Sequence, residues 1–283
     1  TSIRSAGRVA ITAAGIVLVS STAVRAQTQA PAQTATQEFK PEVGQAGKDV
    51  VWVPTSEVLV EKMLDMAKVT SQDFVVDLGS GDGRNVIGAA KRGARALGVE
   101  FNPDMVKLSQ QNAAAAGVAD KATFVQGDMF EADFSQATVL ALFLLPDNLL
   151  RLRPKFLALK PGTRLVMNTF AIPEWEPDVS EQLMSGNCQT WCTSLLYFVP
   201  ANAQGVWRSG QSQITLEQKY QVVAGTVTGA AGPTAIANGR LRGDQITFTS
   251  GGAEYSGRVN GDTIEGVITS GGKSTEWRAT RVR

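Results

Sequence analysis

From Val50 to Thr169 the apolar residues alternate between two spacings. Val58, Leu59, Met63, Leu64 and Met66 recur at helical intervals, and Thr55 or Ser56 stands where a cap belongs, so residues 56–67 are predicted to be a helix. Short continuous apolar runs follow at 74–78, 94–100, 123–126, 139–145 and 164–169, each the length of a buried strand. Helical patterns separate them at 85–92, 103–116 and 148–159. Pro103 opens the second of these, and Pro161-Gly162 follows the third. Strands alternating with helices predict an α/β fold, a Rossmann-like, doubly wound and mostly parallel sheet covered on both faces.

Beyond about residue 200 the pattern changes. The chain becomes rich in Gly, Thr, Ser and Val, and helical periodicity disappears. Residues 239–246 (GRLRGDQI) recur as 257–264 (GRVNGDTI), and each Gly-Asp pair sits between alternating apolar residues. A two-residue hairpin turn needs positive φ at such a site, so the tail is predicted to be an all-β antiparallel meander. The adhesion-like tripeptide Arg242-Gly243-Asp244 is then a turn, because the repeat places Asn260-Gly261-Asp262 at the same position.

The first residues differ from both regions. Arg4 and Arg8 precede an apolar run from Val9 to Ala23, and Val24-Arg25-Ala26 reads as a small-residue cleavage site. Residues 1–26 are expected to be a signal peptide, with an uncleaved inner-membrane anchor as the alternative. Either puts the chain outside the cytoplasm, in or facing a periplasm. Residues 27–48, rich in Gln, Ala, Thr and Pro, are expected to be a disordered linker. The expected domains are therefore 49–200 and 201–283.

Composition narrows the chemistry. With 283 residues, 43% of them hydrophobic, the chain can bury a substantial core. The net charge is +1 and no basic run is present, which gives no footprint for nucleic acid. There is no histidine, so histidine-dependent triads and metal sites are excluded. The two cysteines, Cys188 and Cys192, are too few for a structural zinc site, and no metal is expected. In an oxidising compartment they can instead form a disulfide.

Three strand ends carry the candidate chemistry. Gly79-Ser80-Gly81-Asp82-Gly83 follows the first strand and precedes a helix, where open α/β sheets bind ligands. A dinucleotide loop would need glycine at position 84, which is Arg84. Asp77 and Asp82 would repel a pyrophosphate but attract a sulfonium and an ammonium. Glu100 ends the second strand and can accept both hydroxyls of a ribose; Asp128, with Met129, follows the third and suits an adenine amino group and ring face. S-adenosylmethionine (SAM) is the expected cofactor.

These residues, with Val53-Pro54-Thr55, Gly98-Val99-Glu100-Phe101-Asn102-Pro103, Leu142 to Pro146, Lys160 to Val166 and Phe170 to Pro177, resemble a known family. Residues 50–178 look like a class I, seven-β-strand SAM-dependent methyltransferase. More narrowly they are similar to the small mitochondrial protein-lysine methyltransferases that modify the adenine nucleotide translocase and the ATP synthase c-subunit, and to their bacterial relatives. The resemblance implies that Asp77, Gly79, Ser80, Gly81 and Gly83 surround the methionine part of the cofactor, with Thr55 and Ser56 over its end. It places Glu100 and Asn102 at the ribose, and Asp128 and Met129 at the adenine. It also implies a protein-lysine acceptor, a membrane protein among the candidates. Those mitochondrial enzymes lack the β tail and the export segment.

Methyl transfer requires alignment of an unprotonated nucleophile rather than a dedicated base, and no catalytic base is identifiable. Asp147 and Asn148, at the end of the fourth strand, are candidates to touch substrate or to cap the next helix; Trp175 and Trp191 are candidates for a substrate channel or for core packing. A small-molecule methyl acceptor, or an exported ligand-binding protein without turnover, are the alternative readings.

Overall fold

The structure, a computed structural model, describes residues 39–184 and 188–282, together with Ala10, Thr12 and Gly15. Apart from those three residues, the expected signal peptide lies outside the described residues, as does the expected linker up to residue 38. Phe39–Arg283 forms one compact unit. No helix among the described residues is long and apolar enough to cross a membrane.

The alternating patterns become alternating elements: α1 (Glu57–Met66), β1 (Phe74–Leu78), α2 (Arg84–Lys91), β2 (Arg95–Glu100), α3 (Pro103–Ala115), β3 (Ala122–Gln126), β4 (Val139–Leu142), α4 (Pro146–Leu157) and β5 (Arg164–Asn168). Ser56 caps α1, its hydroxyl accepting from Leu59 N, and Asn102 caps α3 by accepting from Asp104 N. Two further strands complete the sheet, β6 (Val179–Gln182) and β7 (Thr193–Phe198), in the order β3-β2-β1-β4-β5-β7-β6. Strands β1 to β5 pair in parallel, and β7 inserts antiparallel between β5 and β6.

The strands read as continuous apolar runs because both faces are buried. Val75, Val139 and Ala141 face a layer built from α1, α2 and α3. Val76, Leu78, Leu140 and Leu142 face the other side, with Leu149, Leu152 and Phe156 of α4. β1 is the switch point: β2 and β3 lie on one side of it, and β4 and β5 on the other. A crevice opens there at the carboxyl ends of the strands. The register sets Asp77 beside Gly98 and Glu100 beside Gln126, so all three expected strand-end sites face this one crevice.

Two expectations about elements are corrected. β4 ends at Leu142 rather than Leu145, and α4 begins at Pro146, whose fixed φ and missing N–H suit a first helical turn. Leu145 occupies the cap position without a side-chain bond, so neither Asp147 nor Asn148 is the cap. Asp147 is instead an acid in the first turn, where the helix dipole favours it. The stretch expected to be a linker has, at its end, a definite fold. Gly44 N donates to Trp52 O (2.8 Å), Trp52 N to Gln45 O (2.9 Å) and Gly47 N to Val50 O (2.9 Å), making a short hairpin bridged at Ala46 and Val51.

The tail forms a second, nine-stranded antiparallel sheet: β8 (Gly205–Ser209), β9 (Ser212–Lys219), β10 (Val222–Gly229), β11 (Gly232–Ala235), β12 (Ala237–Arg242), β13 (Gln245–Ser250), β14 (Ala253–Asn260), β15 (Thr263–Ser270) and β16 (Lys273–Arg281). The meander is present and its ends meet. β16 pairs with β8, and β9 pairs with β10, closing a barrel with β11 outside the ring. The repeated Gly-Asp pairs are the two-residue turns β12–β13 and β14–β15, with Gly243 and Gly261 at φ of 64° and 58°. Trp207, Leu241, Ile246, Phe248, Ile264 and Trp277 fill the interior.

The segment after β5 is one place where the barrel packs on the first sheet. Trp175 is 1% exposed, stacked on Tyr220 of the β9–β10 turn (centroids 5.6 Å) and edge-on to Tyr197 of β7 (5.4 Å). Gln221 Nε2 donates to Glu176 O (2.7 Å), and Arg240 pairs with Asp178 (2.8 Å). Of the two expectations for Trp175, substrate channel or core packing, the structure shows packing between the sheets, where its ring bridges two apolar surfaces. Trp175→Ala is expected to cost about 3–5 kcal/mol in chemical denaturation through the cavity it leaves. Affinity for S-adenosylhomocysteine should stay unchanged; a variant of normal stability that has lost ligand binding would return Trp175 to the site.

Candidate active site

The crevice over β1, β2 and β3 is a cavity lined by the glycine loop, the strand-end acids and the hairpin of residues 45–55. Asp77 is 4% exposed, and its only hydrogen-bond donor among the described residues is Asn85 Nδ2, at 3.1 Å. Burial pushes its carboxyl well above the usual carboxylate range. The Asn85 donation opposes this, and the nearby charges of Glu100 and Asp82 add to it. Glu100 closes the loop against β2: Oε2 accepts from Gly81 N and Oε1 from Asn102 N, both at 2.9 Å. A carboxylate has about four lone-pair directions, so both oxygens keep capacity for ribose hydroxyls.

Arg84, which rules out the dinucleotide spacing, has its own task. It pairs with Asp82 through Nε (3.0 Å) and Nη2 (2.5 Å) and donates to Thr55 O. Asp82 is thereby neutralised, while Asp77 and Glu100 face the cavity without a cationic partner among the described residues. Two such carboxylates in one enclosed space suit a cationic ligand. The sulfonium and ammonium of SAM meet this requirement; a pyrophosphate does not.

The structure brings Thr55, Asp77, Gly79, Ser80, Gly81, Glu100, Asn102, Asp128 and Met129 together in the cavity lining. Individual side chains do not all point as expected. Ser80 Oγ is buried and packs on Gly98, where an added Cβ would lie 2.6 Å from it, so Ser80 offers the cavity its backbone. Asn102 uses its Oδ1 as the α3 cap. Gly83, the N-cap of α2, sits against Phe124 and Ser109, beneath the loop. Thr55 Oγ1 accepts from Asn168 Nδ2 (3.1 Å), tying the start of α1 to the end of β5. Asp128 is engaged on both oxygens: Oδ1 accepts from Phe130 N (2.9 Å) and Oδ2 from Lys48. The Lys48 bond first, then the Phe130 amide, holds Asp128 below the usual range. Of the acceptor candidates, Asn148 Nδ2 reaches Asp49 O of the hairpin (3.4 Å) and Asp147 is exposed; neither lines the cavity.

Sequence reasoning missed the hairpin's own contribution. Lys48 lies over the Phe101 ring (5.1 Å) as well as on Asp128. Trp52 lies on Gly81, where an added Cβ would meet Nε1 at 2.7 Å. The available signal was Trp52 directly before the Val-Pro-Thr motif, in a stretch otherwise without periodicity. Phe143, at the exit of β4, also lines the cavity.

Taken together, a parallel sheet with one antiparallel insertion, a glycine loop after β1 and acids after β1 and β2 define a class I SAM-dependent methyltransferase. Residues 77–179 match the family model described as the ANTKMT methyltransferase domain. The chain is 43% identical over 141 residues to a protein-lysine N-methyltransferase of Saccharolobus islandicus, covering 49% of this chain and 88% of that protein. It is 38% identical over 128 residues to the ATP synthase c-subunit lysine N-methyltransferase of Mus musculus, covering 45% of this chain and 51% of that one, about half its length. The crystal structure of an RNA methyltransferase from Salinibacter ruber in complex with S-adenosyl-L-homocysteine is 45% identical, with a TM-score of 0.49, covering 53% of this chain and 95% of that one. The chain belongs to the same methyltransferase family as the Saccharolobus islandicus enzyme, and SAM is its cofactor.

Three substitutions test the cavity. Gly81 has φ of +55°, so Gly81→Val meets both backbone strain and Trp52; calorimetry with S-adenosylhomocysteine should show no binding. Glu100→Ala should weaken that binding by about 1–3 kcal/mol. Asp77 has a raised pKa in the fold, so it binds its proton more tightly folded than unfolded. The ligand-free protein therefore loses stability as pH rises from the ordinary carboxylate range toward the folded value. Asp77→Asn should flatten that slope in thermal unfolding above the ordinary carboxylate range, raise ligand-free stability there and weaken cofactor binding. An unchanged pH slope would show that Asp77 is not the group responsible.

Proposed function

We propose that this chain methylates lysine side chains of a protein substrate, and that it works outside the cytoplasm. The match to the protein-lysine N-methyltransferase of Saccharolobus islandicus, which spans most of that protein, carries the first reading. The similarity to lysine N-methyltransferases of the ATP synthase c-subunit supports it and makes a membrane protein the favoured acceptor.

When bound, SAM would supply an electrophilic methyl group to an unprotonated amine nitrogen. The chain's own residues hold and align. Asp77 and Glu100 attract the cationic ligand, and Glu100 also fixes the glycine loop through Gly81 N. Arg84 joins that loop to Thr55, and Thr55 joins Asn168, so the loop, α1 and β5 form one rigid frame around the cavity. The hairpin of residues 44–52 covers the cavity and limits water there.

The reading outside the cytoplasm rests on the basic, apolar and small-residue order of residues 1–26. The Cys188–Cys192 disulfide suits an oxidising compartment and supports it.

Incubating the protein with radiolabelled SAM and bacterial envelope fractions tests the acceptor. Label should enter protein, and mass spectrometry should place it on lysine as an increment of about 14 Da. Label in RNA or in small molecules alone would overturn the lysine reading. Cell fractionation with N-terminal sequencing tests location: a mature start near residue 27 in the periplasmic fraction is expected, and an intact cytoplasmic chain would refute export.

A further inference from the structure

The cavity has a second side that neither the glycine loop nor the strand-end acids make. Phe143 lines it, directly after β4. The Phe143 ring stacks on Phe170 (centroids 5.9 Å, planes 14° apart) and meets Trp191 at a tilt (5.8 Å, 58°). These rings come from three separate segments: the exit of β4, the turn after β5 and the loop before β7. Trp191 is 43% exposed, so its indole is not spent on core packing.

The backbone beneath this cluster is held in an uncommon conformation. Thr169, immediately before Phe170, has φ of 57°, and Trp191 has φ of 54°. A β-branched and a bulky residue in the left-handed region persist only where surrounding structure imposes it, and such places concentrate at functional sites. Here the imposing contacts are visible. Cys188 and Cys192 are bridged, closing a short loop around Trp191. Cys192 O accepts from Leu183 N (2.8 Å), and Thr193 O accepts from Thr169 N (2.7 Å), which couples the Trp191 loop to the Phe170 turn.

We infer that Trp191 binds the methyl acceptor and helps determine its specificity, and that the Cys188–Cys192 disulfide is the device that positions it. The inference rests on the lysine reading above and deepens it. An acceptor must reach the cavity from the side that the cofactor residues leave open, and Phe143 belongs both to the cavity lining and to this aromatic cluster. A lysine side chain has the matching chemistry. Its four-carbon stem lies against ring faces, and its ammonium is attracted to them on approach. Loss of water at the cavity mouth then favours the neutral amine, the form with a free lone pair. Trp191 acts on the acceptor and not on the cofactor: it lies outside the lining that holds the cofactor residues and reaches it only through Phe143.

The test compares the wild-type full chain with Trp191→Ala, Trp191→Phe and a Cys188→Ser/Cys192→Ser double variant. Methyl transfer from SAM to a randomised lysine-containing peptide pool is measured, with calorimetry of S-adenosylhomocysteine alongside. Trp191→Ala should raise the peptide KM roughly tenfold with kcat much less affected and with S-adenosylhomocysteine affinity unchanged. Trp191→Phe should recover most of the loss. The double variant, and wild-type protein treated with reductant, should behave like Trp191→Ala. Equal KM for wild type and Trp191→Ala would overturn the inference and leave lysine methylation standing. A double variant with wild-type KM would remove the disulfide from it. A wild type that binds S-adenosylhomocysteine but labels no peptide lysine would remove the lysine reading itself, and this inference with it.

Discussion

Asp77 stands at the carboxyl end of the central strand, buried, with one amide donating to it and two further acids nearby. A carboxylate out of water without a cation is costly, and the protein offers it none among the described residues. Arg84 is spent on Asp82 and Thr55, and Lys48 on Asp128. The surrounding architecture keeps this arrangement from collapsing. Gly81 N and Asn102 N hold Glu100 in place, and the parallel register keeps β1 and β2 ends level. The cost in ligand-free stability is recovered when a cation binds, which makes the fold selective for a sulfonium cofactor rather than for a nucleotide pyrophosphate.

The barrel is a separate solution to a separate problem. An antiparallel sheet of glycine-rich strands leaves exposed edges, and closure through β9–β10 and β16–β8 pairs them within the ring. It is fastened to the catalytic sheet through Trp175, Gln221 and Arg240, at the segment that follows β5. The same stretch of chain, from Phe170 to Asp178, therefore serves two ends. Phe170 stacks on Phe143 of the cavity lining, while Trp175 packs on the barrel. Packing at one end restrains the backbone that presents the aromatic ring at the other.

Two segments from different parts of the chain flank the cavity, one in its lining and one a ring away from it. The hairpin of residues 44–52 lies on the nucleoside side, by Lys48 on Asp128 and Phe101 and by Trp52 on Gly81. The disulfide loop carries Trp191 against Phe143, outside the lining itself. The first is fastened by an exposed ion pair, which solvent screens and a ligand can displace; the second is a loop closed on itself by a disulfide and tied to the sheet by backbone hydrogen bonds. The contrast suits a site where a cofactor must be exchanged and an acceptor side chain must be guided.

The alternation of strand and helix, the glycine loop and the acids after each strand were legible in the chain because each rests on local spacing. A buried parallel strand must be apolar throughout, and a ligand crevice must open where such strands end. The repeated Gly-Asp turns were legible for the same reason, since a two-residue turn demands its own residue types. Other features depend on residues far apart in sequence and follow no period: Lys48 on Asp128, Trp52 on Gly81, the Phe143, Phe170 and Trp191 cluster, and β7 between β5 and β6. Trp175 shows the limit most directly. The sequence left substrate channel and core packing both open; burial between two sheets is decided by what packs on it, and Tyr220 lies between two strands of the other sheet, far along the chain. The sequence by itself determined which cofactor the crevice suits, because charge and glycine spacing are carried by adjacent residues. Only the tertiary structure decided what covers that crevice and which aromatic rings stand at its mouth, because those contacts exist only once distant segments are folded together.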